Sequence, residues 1–139
     1  MLLNWKKEYS VNVKEIDAQH KKLIEMINEL YEIINNKNEN LQKEFTRVVG
    51  ELEEYKNYHF STEEKYFHQF NYENTEDHIA KHIAFGKKIE EFKEHLSNPN
   101  ENYPQICFDL LDYLEDWFFA HLIGDDKKYT KTFNENGLF

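Results

Sequence analysis

With one cysteine, two prolines and four glycines among 139 residues, this chain has little with which to staple or interrupt a fold. A single thiol, Cys107, cannot close an internal disulfide, and its place in an apolar helical pattern marks it as a small buried hydrophobe with no chemical role. Scarce glycine and proline argue against a turn-rich all-β design and for long uninterrupted elements. Positive charge is also short: 17 Lys and Arg stand against 27 Asp and Glu, for a formal charge of -10. The lysines are interspersed with acids, so there is no basic stripe for a phosphate backbone to follow, which excludes nucleic acid as a partner. Long apolar runs are missing as well. The stretch from Leu110 to Phe119 is broken by Asp112, Glu115 and Asp116, far from the ~20 apolar residues of a membrane span. The start, Met1 to Lys7, lacks a basic segment followed by a sustained apolar run, so no secretory signal is expected and the expected location is the cytoplasm. No internal repeat or low-complexity segment is present.

What the chain does have is a helical period and histidines set into it. At this length one domain with a real core is expected. A first helix is expected over residues 15–36, with Ile16, His20, Leu23, Ile24, Ile27, Leu30, Tyr31 and Ile34 on one face. A second is expected over 41–70, its seam running through Leu41, Phe45, Val48, Leu52, Tyr55, His59 and Glu63. A third, over 75–96, carries His78, His82, Phe85, Ile89, Phe92 and Leu96, with Glu76 and Asp77 in its first turn. The fourth begins after Pro104 and carries Cys107, Leu110, Leu114, Trp117 or Phe118, and His121. The connections at 35–40, 71–74 and 97–103 are short and polar. The expectation is therefore an all-α, up-down-up-down antiparallel four-helix bundle (15–131), with an N-terminal arm (1–14) and a C-terminal tail (132–139).

Residues four apart on a helix stand on one face, so His59 with Glu63, and His78 with His82, can each aim two side chains at one place. With His20, His121 and Asp126 this makes seven inward donors, more than a single tetrahedral ion would use, and two acids able to bridge, which points to a binuclear centre. A lone buried histidine is more often hydrogen-bonded structure than ligand; the case for His20 rests on its position relative to the pairs. The His59/Glu63 pair alone would pass for a solvated intrahelical contact, except that it sits on the apolar seam. His121 and Asp126 are five apart, which on an ideal helix sets the second ~140° off the first. The backbone is therefore expected to deviate between them, with Gly124 ending the helix or relaxing it into a wider turn. His68 and His95 fit no ligand spacing and are read as surface residues. Glu64 and Asp125 are read as solvent-facing, and Asp17 and Tyr129 as supports behind the ligands.

Four motifs carry a resemblance: Ile16-Asp17-Ala18-Gln19-His20-Lys21, His59-Phe60-Ser61-Thr62-Glu63-Glu64, His78-Ile79-Ala80-Lys81-His82, and the segment from His121 to Tyr129. Together they resemble hemerythrin, in its single-domain bacterial form, from Trp5 to Tyr129. The resemblance implies two iron ions in an oxo- or hydroxo-bridged, non-haem di-iron centre that binds O₂ reversibly. It implies that His78, His82 and His121 hold one iron, that His20 and His59 hold the other beside a vacant position, and that Glu63 and Asp126 bridge them. Leu23, Phe60, Trp117, Phe118 and Leu122 flank these ligands at helical spacing and are expected to line an apolar O₂ pocket. The chain departs from the family at Phe118, where leucine is usual and a bulkier ring reshapes the expected cavity, and at Phe67 and Glu73, which touch no ligand position. The function expected is oxygen transport, storage or delivery by a protein that is not an enzyme. The alternatives are a sensor or scavenger of O₂, NO or redox state acting on an unidentified protein partner, and a weak di-iron oxidase or peroxidase. Five imidazoles with two acids favour reversible binding over the carboxylate-rich chemistry of oxygenases.

Overall fold

A computed structural model of the chain describes residues 3–36 and 40–139. The first expected connection, at 35–40, therefore lies partly outside the described residues. Four long helices are present, α1 (Lys14–Asn35), α2 (Leu41–Gln69), α3 (Thr75–Ser97) and α4 (Tyr103–Trp117), and no strand occurs among the described residues. α1 packs on α2 and α4, and α3 packs on the same two, which closes an antiparallel square. Each helix ends where its apolar period ends. Asn71 makes the turn into α3 with a left-handed backbone (φ 52°), a conformation asparagine tolerates. The Asn102 side chain caps α4 by accepting from the Gln105 N–H, with Pro104 in the first turn where its missing donor costs nothing.

The apolar side chains form two clusters along the bundle. The larger includes Leu23, Ile27, Leu30, Phe45, Leu52, Tyr55, Phe85, Ile89, Leu110, Phe118 and Leu122. The smaller joins Val11, Val13 and Ile16 to Phe67, Tyr72, Tyr129 and Phe133. Every fully buried Leu, Ile or Phe adds roughly 1.5–3 kcal/mol. The seven histidine and carboxylate candidates are buried, as are Ile16, Leu23, Phe60, Phe67 and Leu122 beside them in the sequence of the helices.

Residues 11–13 are tied down rather than free. Val11 and Val13 are fully buried, and the Val11 carbonyl accepts from Thr130 Oγ1 at 2.7 Å. Asp17 accepts from Ser10 Oγ and from the Val11 N–H, which anchors the arm to the first turn of α1. At the other end the segment from 132 onward begins inside a short helix, α5 (Thr130–Glu135), whose Phe133 is buried against Tyr129 and Phe67.

The backbone deviation expected between His121 and Asp126 is present. α4 does not stop; it widens at Phe118 into a π-helical segment through Asp125 and then tightens to a 3₁₀ turn over Asp126–Tyr129. The Asp126 N–H bonds to the His121 carbonyl five residues back, so both side chains return to one face. Gly124 lies inside the widened segment. Its backbone is not left-handed, and a Cβ there would meet open space.

Candidate metal centre

The helices bring His20 (α1), His59 and Glu63 (α2), His78 and His82 (α3), and His121 and Asp126 (the π segment and its end) to one place. None of the seven is more than 3% exposed. They fall into two groups of converging donor atoms: Glu63, His78, His82 and His121, and His20, His59, Glu63 and Asp126. Asp126 spans the two. Its Oδ2 lies 3.0 Å from His20 Nε2, and its Oδ1 lies 2.9 Å from His78 Nε2 and 3.1 Å from His121 Nε2. Glu63 faces both through one oxygen, with Oε1 3.3 Å from His59 Nε2 and 3.2 Å from His82 Nε2. Its Oε2 accepts a 2.6 Å hydrogen bond from the Tyr129 hydroxyl.

These contacts are at ion-pair distance, yet they are not hydrogen bonds. All five Nε2 atoms, Glu63 Oε1 and both Asp126 oxygens are buried without a hydrogen-bond partner among the described residues. Eight unsatisfied polar atoms in a dry core would cost far more stability than a domain of this size possesses. Lone pairs that converge on shared points instead of on one another's hydrogens are the geometry of a metal cradle, and imidazole with carboxylate is a donor set that iron accepts. The residues present fit a metal centre.

The outward ring nitrogens complete it. His59 Nδ1 faces Gln19 Oε1 at 2.6 Å, His82 Nδ1 faces Glu64 Oε2 at 2.8 Å, and His121 Nδ1 faces Asp125 Oδ2 at 3.2 Å. Carboxylate and amide oxygens only accept, so each Nδ1 carries the hydrogen and each Nε2 turns its lone pair inward. Gln19 is held in that sense because its amide nitrogen donates to Thr62 Oγ1. This corrects two sequence-based expectations. Glu64 and Asp125 do not simply face solvent; they orient ligand candidates. Asp17, expected behind a ligand, holds the arm instead, whereas Tyr129 does stand behind Glu63. Sequence spacing does not single out Gln19, although the His121/Asp125 step of four shows how such partners can be read. His68 and His95 are exposed, as expected, His95 paired with Glu101.

Burial shifts the site's protonation. His59 is pushed down to about 4 by desolvation, so it is neutral with its lone pair free. Burial also opposes a charge on His78, but Asp126 and Glu63 outweigh it and raise the group to about 9. Glu63 and Asp126 resist their own burial because the imidazoles around them hold both well below the usual carboxylate range. Tyr129, buried beside both acids, is held far above its ordinary value and remains a donor. Aromatic rings seal the periphery: Phe60 stacks on His82 at 3.7 Å, Trp117 on His121 at 4.0 Å, and Tyr55 on His59 at 5.2 Å. Of the residues expected around an O₂ pocket, Leu23, Phe60, Phe118 and Leu122 are buried and Trp117 is half-buried.

Fold and site together define a four-helix bundle with a buried histidine–carboxylate centre built to hold metal. The Hemerythrin HHE cation binding domain family matches residues 11–132, and the chain belongs to that family as a non-haem iron-binding domain. It is 32% identical over 129 residues to a bacteriohemerythrin of Clostridium acetobutylicum, covering 90% of this chain and 96% of that protein. It is 28% identical over 128 residues to a bacteriohemerythrin of Stenotrophomonas maltophilia, covering 92% of this chain and 79% of that one. A solved hemerythrin structure bearing a leucine-to-tyrosine substitution superposes with a TM-score of 0.81 at 24% identity, covering 94% and 96% of the two chains. No helix among the described residues is long and apolar enough to cross a membrane.

Proposed function

We propose that this protein binds O₂ reversibly at a di-iron centre, in transport, storage or delivery, and is not an enzyme. The observation that carries the reading is the pair of donor groups that share Glu63, with Asp126 reaching from His20 to His78 and His121 and every member buried. His78, His82 and His121 would hold one iron and His20 and His59 the other, with the two carboxylates shared. When bound, the irons supply the two electrons that O₂ takes up and returns.

The chain's own residues do the rest. Gln19, Glu64 and Asp125 hold three imidazoles in the tautomer that presents Nε2. Phe60, Trp117 and the apolar residues Leu23, Phe118 and Leu122 exclude water, which would otherwise compete for the irons and hydrolyse what they bind. Tyr129 holds Glu63 and keeps its own proton. Five imidazoles leave the centre less electron-rich than a carboxylate-dominated one, which supports reversible uptake over oxygenation.

The experiment is metal analysis followed by anaerobic reduction, readmission of air and visible absorption. Two irons per chain with a charge-transfer band that appears with O₂ and disappears on its removal support carriage. Two irons that oxidise at once with no reversible band would move the function to a redox sensor, scavenger or weak oxidase.

A further inference from the structure

We propose that Tyr55 is the hydrogen-bond donor to the small ligand taken up beside His59. The proposal rests on the reading of the centre as a ligand-binding di-iron site. Three imidazoles serve one donor group and two serve the other; Glu63 belongs to both, and Asp126 reaches His78 and His121 as well as His20. The His20/His59 side is one protein donor short, and an external ligand belongs there.

Tyr55 lies one helical turn before His59 on α2. Its ring runs parallel to the imidazole, 11° from coplanar with centroids 5.2 Å apart. A phenol ring is longer than an imidazole. It is set parallel to His59 from the same helix face. The side chain is 8% exposed, and the hydroxyl is buried with no hydrogen-bond partner among the described residues. It belongs to the same apolar cluster as Leu23, Phe118 and Leu122. A phenol is protonated at neutral pH, so it has a hydrogen to give.

A buried hydroxyl left unmet costs stability, and in an otherwise apolar lining it is the one group that a ligand bearing a lone pair would satisfy. The other phenols do not compete. Tyr129 is committed to Glu63. The Tyr72 hydroxyl is also unpartnered, but its ring sits against Phe67 and Tyr129 and touches no candidate ligand. The ligand class is a small molecule or anion with an acceptor atom beyond the one that meets the metal. Azide is the probe.

The test compares wild type with Tyr55→Phe in the iron-loaded, oxidised protein by visible titration with azide, with iron content measured on the same samples. Metal-free thermal unfolding of both is the second readout. The expected result is azide affinity about tenfold or more weaker in Y55F, the loss of one hydrogen bond to an anion, with a metal-free Tm that is unchanged or raised. Two irons per chain with equal azide affinity in both proteins would overturn the role of Tyr55. So would a lowered metal-free Tm, because it would show that the hydroxyl is satisfied within the protein. Failure of wild type to hold two irons would instead remove the di-iron reading, and with it this proposal.

Discussion

Tyr129 donates to Glu63 Oε2 across 2.6 Å, and this leaves Glu63 Oε1 to face His59 and His82. Both residues are fully buried. The phenol comes from the 3₁₀ turn that follows the π segment, so the same local backbone that delivers Asp126 also delivers the group that steadies the other carboxylate.

Removing that hydroxyl with Tyr129→Phe leaves an ionised oxygen unmet in a dry site. We expect a loss of about 2 kcal/mol in the metal-free protein, the usual scale for a hydrogen bond to a charged group. Urea unfolding checks it; an unchanged midpoint would mean that the bond does not stabilise Glu63.

The sharing of carboxylates predicts unequal metal losses. His20→Ala removes a donor from one group only and should cut bound iron to about half, whereas Asp126→Ala, which faces both groups, should lower it further. Metal analysis after gel filtration decides; full retention of two irons in His20→Ala would sink the ligand assignment.

Glu64 and Asp17 look alike in sequence and differ in role. Glu64→Ala frees the His82 ring and should weaken iron affinity roughly tenfold or more. Asp17→Ala should leave affinity alone and cost about 1 kcal/mol by loosening residues 10–11. Competition with a chelator, beside an unfolding curve for each variant, separates the two; equal affinities would return Glu64 to the surface.

His78 sets a pH dependence. Its value in the metal-free protein is raised to about 9 from an ordinary 6.5, so its contribution to stability is complete below about 6.5 and is lost as pH rises toward 9. Metal-free protein should therefore lose stability between pH 6.5 and 8.5, and His78→Gln should flatten that loss. Metal must displace the same proton, so uptake at pH 7 should release protons and affinity should fall as pH falls. Unfolding curves at the two pH values and a pH-indicator titration during loading provide the measurements.

Gly124→Ala tests what holds the π segment. With no left-handed backbone and open space at the Cβ, alanine should be tolerated or stabilising by about 0.5–1 kcal/mol, with iron binding intact. Loss of iron would show that the glycine is required for the widened turn.

Much of the fold is legible in the sequence. Helical period locates the first three long helices and the start of the fourth to within a residue or two, because burial of an apolar face imposes 3.6-residue spacing on the sequence itself. The pairs His59/Glu63 and His78/His82 are legible for the same reason, and the five-residue step from His121 to Asp126 implies a backbone deviation. The wider turn expected around Gly124 is present, closed by the Asp126-to-His121 hydrogen bond, with no left-handed backbone at the glycine.

The sequence by itself determined the bundle, the inward stations of seven donors and the family, since local periodicity and motif order are properties of the chain. Only the tertiary structure decided that Glu64 and Gln19 orient the imidazoles, that Asp17 does not, and that Tyr55, stacked on His59, keeps an unmet hydroxyl. These are relations of distance between helices, or between rings a turn apart, and they depend on how far apart the helices stand and how each side chain is turned, which no spacing along one helix encodes.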